Sequence, residues 1–418
     1  MAAKYWLGQA APVAQVNTLT VAGAVGAGDV YSVTMNTKVV SYTADGTETV
    51  DEVAEALAAL LQEATIAEFA EVTWTQAAAV ITGTATTAGV PFVNTSATTG
   101  AGTFVTATTT ASAGPNHWDD VDNWSGNTLP VNGDAVYIRE TAVSILYGID
   151  QNAVTLLLLD IDSTFTGKIG LLDFNGAIGS TSTYSEYREK RLKIGATTIN
   201  IGRGSGGGSG RIRLNTGAVQ TTLNVYGTGS PEDSGRYVVD WIGTHASNKI
   251  VASRGSVAAS YKPGDTSVVA TAIVGSRGGG NPVQALFGDN CTLTALTMTG
   301  GNVEVRNGFS TAVMTDGTLT ITGTAGVTTS LDAQGGLVNY DSSGTLVAYN
   351  GGTESLIDFS RVNVARTVTT CILTARAGLR DPGRTVTFGG SGVLVRCRNS
   401  ELQEFDLGEN NYYQRTPA

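Results

Sequence analysis

Leu296-Thr-Met-Thr-Gly-Gly-Asn-Val-Glu-Val305, Val313-Met-Thr-Asp-Gly-Thr-Leu-Thr-Ile321, Leu331-Asp-Ala-Gln-Gly-Gly-Leu-Val-Asn-Tyr340 and Val347-Ala-Tyr-Asn-Gly-Gly-Thr-Glu-Ser-Leu356 are four versions of one cassette. Each is a short alternating strand, a turn at Gly and a second alternating strand. Gly301, Gly317, Gly336 and Gly352 hold the second turn position, at spacings of 16, 19 and 16 residues. A repeat this short cannot bury its apolar face alone, so neighbouring repeats must stack. The expected fold class is therefore mainly β: a β-solenoid (β-helix) body with a small N-terminal α+β, sandwich-like domain. Glycine is chosen where φ is positive or backbones approach closely, so these four are expected to stack at equivalent turns.

Composition agrees with many short strands and tight turns. Gly numbers 53 in 418 residues and follows no G-X-Y period, which excludes collagen. The length exceeds one ordinary core and predicts several domains. The net charge is −11 and the pI about 4.7. Such a chain lacks the basic surface that binds phosphate backbones, so nucleic acid is not an expected partner. Without an apolar run of about 18 residues, no membrane span is expected. The first residues, Met1-Ala-Ala-Lys-Tyr-Trp-Leu-Gly8, lack the apolar centre of a signal peptide, which predicts synthesis in the cytoplasm without general export. Cys291, Cys371 and Cys397 are odd in number and widely spaced, so buried free thiols are expected and not disulfides or a zinc site.

Residues 1–112 read as one unit. Asn17–Val21, Val30–Asn36 and Lys38–Thr43 alternate as strands, and Thr49-Val-Asp-Glu52 is a capping box. Val53, Leu57, Leu60 and Leu61 follow on one helical face, and two more strands cover 72–76 and 79–84. This unit resembles a recurrent domain of tailed-bacteriophage virion proteins. The resemblance is carried by Gly28–Asn36, Val40–Gly46, the helix Val50–Leu60 and Ile81–Phe92, whose closing phrase Thr87-Ala-Gly-Val-Pro-Phe92 is the most specific part. It covers about a quarter of the chain and implies a virion-associated role.

Residues 93–114 are almost entirely Thr, Ala, Gly and Ser, which suits a linker or polar strands. Next come His117-Trp-Asp-Asp-Val-Asp-Asn-Trp124 and Leu129-Pro-Val-Asn-Gly-Asp-Ala-Val-Tyr-Ile138. These resemble the first segment of bacterial and prophage β-solenoid proteins. Trp118 and Trp124 are expected to cap the open end of the solenoid, which spans 113–398. Residues 399–418 break the pattern. They are either a cap or an inter-subunit arm, with Phe405, Tyr412 and Tyr413 as candidate contacts to a neighbouring copy.

Motifs for chemistry are sparse. Gly202-Arg-Gly-Ser-Gly-Gly207 matches a dinucleotide fingerprint in letters, but a strand pattern follows it where a helix is required. Asp119, Asp120, Asp122, Asn123 and Asp134 form an acidic cluster without the EF-hand order, so solvated turns are expected. His117 and His245 are the two histidines, and no G-x-S-x-G elbow accompanies them. Asp240, Asp332, Asp358 and Asp381 lie singly among the repeats, not as the carboxylate pair of a glycosidase. Tyr184-Ser-Glu-Tyr-Arg-Glu-Lys-Arg191 interrupts the repeats and reads as a loop, either solvated or a contact patch for an acidic neighbour.

The resulting expectation is a non-enzymatic structural protein of a tailed-phage or prophage virion, without cofactor or metal. The expected role is decoration or cementing of the capsid exterior. The major capsid protein or other virion subunits are the expected partners, and the chain is expected to form a homotrimer. The alternatives are a tail fibre or spike that binds host-surface glycans, and a polysaccharide lyase or hydrolase.

Overall fold

The computed structural model describes residues 2–175, 183–232, 236–275, 282–323, 326–352, 354–389, 392–396 and 404–407. The chain is mainly β, and the body is one closed sheet in which every pairing is parallel. Its register follows from the apolar pattern. Val136, Leu159, Ile199, Leu223, Ile250, Ala272, Leu296, Ala312, Leu331, Tyr349, Cys371 and Val393 are successive ladder partners. All are buried. A second series runs from Ile212 through Val239, Val257, Ala285, Val303, Leu319, Val338, Ile357 and Leu379 to Phe405. Both series belong to one core cluster. A register slip of one residue would turn an entire strand's apolar set outward, so the columns fix the pairing. Each fully buried Leu, Ile or Val contributes roughly 1.5–3 kcal/mol.

The glycine turns follow the expectation at three of four positions. The pairs Asn302–Thr318 and Thr318–Leu337 place Gly301, Gly317 and Gly336 one above another. Their φ values are +88°, +100° and +83°. Gly352 departs from the expectation. The partner of Gly336 is Ser355, while Gly351 pairs with Ala333. The fourth turn carries one residue more than the third, which moves its Gly-Gly pair off the stack. Glu354 adopts the left-handed backbone there, with φ +75°.

The N-terminal module packs two antiparallel sheets and one helix. One sheet orders Val72–Ala77, Val80–Ala85, Val16–Ala22 and Thr103–Thr110, and the other Lys38–Thr43, Val30–Met35 and Thr95–Thr98. Helix Val50–Glu63 starts at the Thr49–Glu52 capping box and buries Val53, Leu57 and Leu61. Leu60 lies on the solvent side instead. The Thr- and Ala-rich stretch 93–114 is not a linker, because two of the module's strands run through it. Thr and Val are β-formers whatever their polarity.

The boundaries also differ from those expected. Strand Ala3–Tyr5 does not belong to the 1–112 unit, since it pairs in parallel with Ala135–Tyr137 of the body. The module is an excursion whose ends meet where Val13 pairs with Ala113. At the other end the body does not stop at 398. Strand Glu404–Asp406 pairs with Gly378–Arg380, which places Phe405 on the chain's own core as the last member of its column. Phe405 is therefore not a free inter-subunit contact. Tyr412 and Tyr413 lie outside the described residues.

A Cβ on Gly317 would stand 2.5 Å from the Gly301 carbonyl oxygen, at a φ that disfavours any side chain. Gly317→Ala is expected to cost about 1–3 kcal/mol, read as a lowered urea midpoint. Gly352→Ala, which would meet the movable ends of Thr374 and Gln334, should cost less. Equal midpoints for the two variants would remove the stack.

Candidate functional site: the junction of module and body

Three tryptophans pack together in the core cluster of the body. Trp118 and Trp124 are buried edge to face, with ring centroids 4.6 Å apart, and Trp6 adds a third ring 5.2 Å from Trp124. Trp124 Nε1 donates to the Trp118 carbonyl at 2.7 Å, and Trp6 Nε1 to the Val143 carbonyl at 3.2 Å. Trp6 was missed in the sequence because it lies far from the W-x5-W motif, and only the strand Ala3–Tyr5 delivers it.

Side chains of the acidic cluster hold backbone around these rings. Asn123 is fully buried, donates to the carbonyls of Gly114 and His117, and accepts from the Ala10 amide at 2.8 Å. Asp134 accepts from the amides of Ala2 and Val131. Burial raises the Asp134 pKa, but these two bonds outweigh it and hold the carboxyl below its usual range. Asp120 caps the short turn at Asp122. Among the described residues, no group of three or more His, Cys, Asp or Glu is placed to hold a metal ion.

The run Tyr184–Arg191 folds against the module, and its acidic neighbour is Glu71 of the same chain. Glu71 accepts from the hydroxyls of Tyr184 and Tyr187 and from Asn175 Nδ2, and lies 3.6 Å from Arg188. Arg188 is buried, forks onto Glu186 at 2.7 and 2.8 Å, and donates to the Pro91 carbonyl at 3.1 Å. Burial disfavours its charge, but Glu186 and Glu71 more than compensate, so Arg188 stays ionised. Burial and Glu71 raise the pKa of Tyr184 and of Tyr187, keeping both as donors. His117 grips the same phrase of the module, with Nε2 3.0 Å from the Gly89 carbonyl. The most specific phrase of the sequence resemblance, 87–92, is thus where the body holds the module.

A second ionic cluster ties Asp173 and the run Tyr184–Arg191 to the body's flank. Arg191 bridges Asp240 and Asp265 at 2.8 and 2.6 Å. Asp173 faces Lys262, Arg213 and Lys190. Partial burial pushes the Asp173 carboxyl up, but Lys262 and Arg213 outweigh it and hold the carboxyl at about 2. Asp240 is deeply buried, and desolvation raises it despite Arg191, Lys262 and Arg213.

The remaining candidates are dispersed. Ser112, His117 and Asp119 stand in line, at 3.3 Å from Ser112 Oγ to Nε2 and 3.5 Å from Nδ1 to Asp119. Nε2 also faces the Gly89 carbonyl at 3.0 Å, so Ser112 shares that nitrogen with a backbone acceptor. His245 accepts from the Ser247 amide in a local turn. Asp358 pairs with Arg380, Asp381 accepts from the amides of Thr385 and Val386, and Asp332 accepts from Gln334. These three carboxylates stabilise separate turns. The stretch Gly202–Gly207 begins in the last two residues of strand Leu192–Arg203 and precedes strand Ile212–Asn215, with no helix between them.

The chain matches no protein-family model, no curated protein and no solved structure. Its functional reading therefore rests on the geometry above and on the sequence resemblance.

A carboxyl depressed in the folded state contributes stability that is complete above its unfolded pKa and lost as the pH falls through the folded one. The Asp173 contribution is expected to be whole above about pH 4 and to fade towards pH 2. Asp173→Asn should be less stable than the wild type at neutral pH, with the gap closing over that window in urea melts. A gap that stays constant across it would exclude an ionic role for Asp173.

Proposed function

We propose that this protein is a structural subunit of a tailed-phage particle that decorates or cements the capsid exterior, with a β-solenoid as its body. The solenoid reading is supported by the ladder partners. Each pairing advances the chain by roughly one repeat, as from Leu296 to Ala312 to Leu331, and the same inward column continues. Strands pair with the strand two places on in the chain, as Ile212–Asn215 with Val239–Ile242 and Thr222–Val225 with Lys249–Ala252, whereas a single ring of consecutive strands would pair each with the next.

The clasp supports a structural role most directly. A buried Arg188, two tyrosines and the Trp cap are spent on fixing a small module against a long body. The contacts of Arg188 with Glu71 and with the Pro91 carbonyl cross between module and body and would hold the two parts at a fixed angle. Such rigidity suits a subunit that carries load between a docking point and a projecting surface. On this reading the module docks on the major capsid protein or another virion subunit, and the body faces outward or sideways.

The test uses the adjacency of Val13 and Ala113. Replacing residues 14–112 by a short Gly-Ser turn removes the module while keeping Trp6 and strand Ala3–Tyr5 on the body. The excised chain should fail to bind undecorated particles to which the full chain binds. Binding at equal occupancy would overturn the docking assignment. Localisation of the full chain to tail tips by negative stain would favour the host-glycan fibre instead.

A further inference from the structure

We propose that the module docks by β-strand addition: its edge strand Lys38–Thr43 takes up an extended, basic segment of another virion subunit. The proposal rests on the docking reading above and specifies which surface of the module carries it.

Strand Lys38–Thr43 pairs with Val30–Met35 alone and so ends its sheet. Asn36 and Thr37 join the two strands, with φ +45° and +69°. Positive φ at both positions makes a two-residue hairpin turn, which closes on a hydrogen-bonded pair, here Met35 with Lys38. Bonding alternates along an antiparallel pair, so Val40 and Tyr42 bond back to Val33 and Tyr31. Val39, Ser41 and Thr43 therefore turn their N–H and C=O groups outward. Among the described residues, nothing bonds to these three main-chain positions. Their side chains are exposed as well, Val39 at 53%.

Edges are commonly blunted by proline, bulges or charge. This one has neither proline nor bulge, and Lys38 at its first position is its only charge. The hairpin tip is also held in place. Asn36 Nδ2 donates to Glu68 Oε1 and to the Ser185 carbonyl of the body, each at 2.9 Å. A fixed edge needs little ordering when a partner binds.

Three outward N–H and C=O sets along one line are matched by an extended backbone. Charge selects its side chains. Residues 14–112 hold nine acidic residues and one basic, Lys38, so they carry −8 of the chain's −11. Helix Val50–Glu63 packs on strand Lys38–Thr43, exposes Asp51, Glu52, Glu55 and Glu63, and has no basic residue. Glu48, just before it, accepts from the Tyr42 hydroxyl at 2.6 Å. A segment with Lys or Arg at alternate positions sets its main chain on the edge and its cations toward these carboxylates.

The experiment is hydrogen exchange, read by mass spectrometry, on the full chain free and bound to undecorated particles. Binding is expected to protect the amides of Val39, Ser41 and Thr43, which exchange freely in the unbound chain. Ser41→Pro removes a donor that bonds nothing in the fold and blocks the edge. It should lower particle affinity at least about tenfold, the worth of one or two main-chain bonds, with an unchanged circular dichroism spectrum. Asp51→Lys/Glu55→Lys, which leaves the edge intact, should weaken binding as well. A bound chain without new protection at 38–43, or variants that bind like the wild type, would overturn the proposal. If excision of 14–112 abolishes binding while 38–43 stays unprotected, the module docks by another surface and strand addition falls. If excision leaves binding intact, the docking reading falls and this proposal with it.

Discussion

The parallel backbone ladder is the constraint on which the rest of this molecule depends. In a parallel ladder, residue faces residue of like orientation on the next strand, so an inward position stays inward at every step. That requirement turns scattered Leu, Ile, Val and Ala into continuous columns, from Val136 to Val393 and from Ile212 to Phe405. It also sets where glycine is required. Where one turn lies directly on the next, as Gly317 lies on Gly301, the carbonyl below leaves no room for a Cβ.

On the proposed solenoid reading the body has open ends and bare flanks, and the sequence outside the repeats deals with both. The three tryptophans cover the first end, with Trp6 supplied by a strand that precedes the module. Residues 172–175 and 183–191 lie against the body and are held at two places. Their arginines and aspartates fasten them to the body, and Arg188 with its two tyrosines fastens the module to them. Burial and paired charge perturb the pKa values of these ionic groups, and each is engaged in bonds that hold distant parts of the chain together. Perturbed titration points to a functional site only when geometry agrees.

The repeat length, the capping box and the W-x5-W motif were legible because each is a local pattern with a local physical cause. What the sequence concealed depends on contacts distant along the chain. Gly352 has the letters of its predecessors, but one inserted residue moves it off the stack, and only the register exposes this. The stretch 93–114 left a linker and polar strands both open because low-complexity Thr and Ala carry no apolar alternation, and the polar strands it forms take their pairing from Val16–Ala22 and Val30–Met35. Phe405 looked like an exposed arm residue because its column partner, Leu379, lies 26 positions earlier. The charged run 184–191 was correctly marked as a contact patch in one of its two readings. Its partner, Glu71, was beyond reach of any local pattern.

A body that advances along an axis, as proposed, and does not return on itself as a ring separates distant ladder positions in space. Thr198 and Thr370 are outward positions joined by successive ladder partners through Thr222, Lys249, Thr271, Ala295, Thr311, Ser330 and Ala348. Spin labels placed at the two ends, in samples diluted with unlabelled chain, give the distance by pulsed dipolar spectroscopy. An axial stack of eight steps predicts about 38 Å. A distance below about 20 Å, as across a small closed barrel, would contradict it.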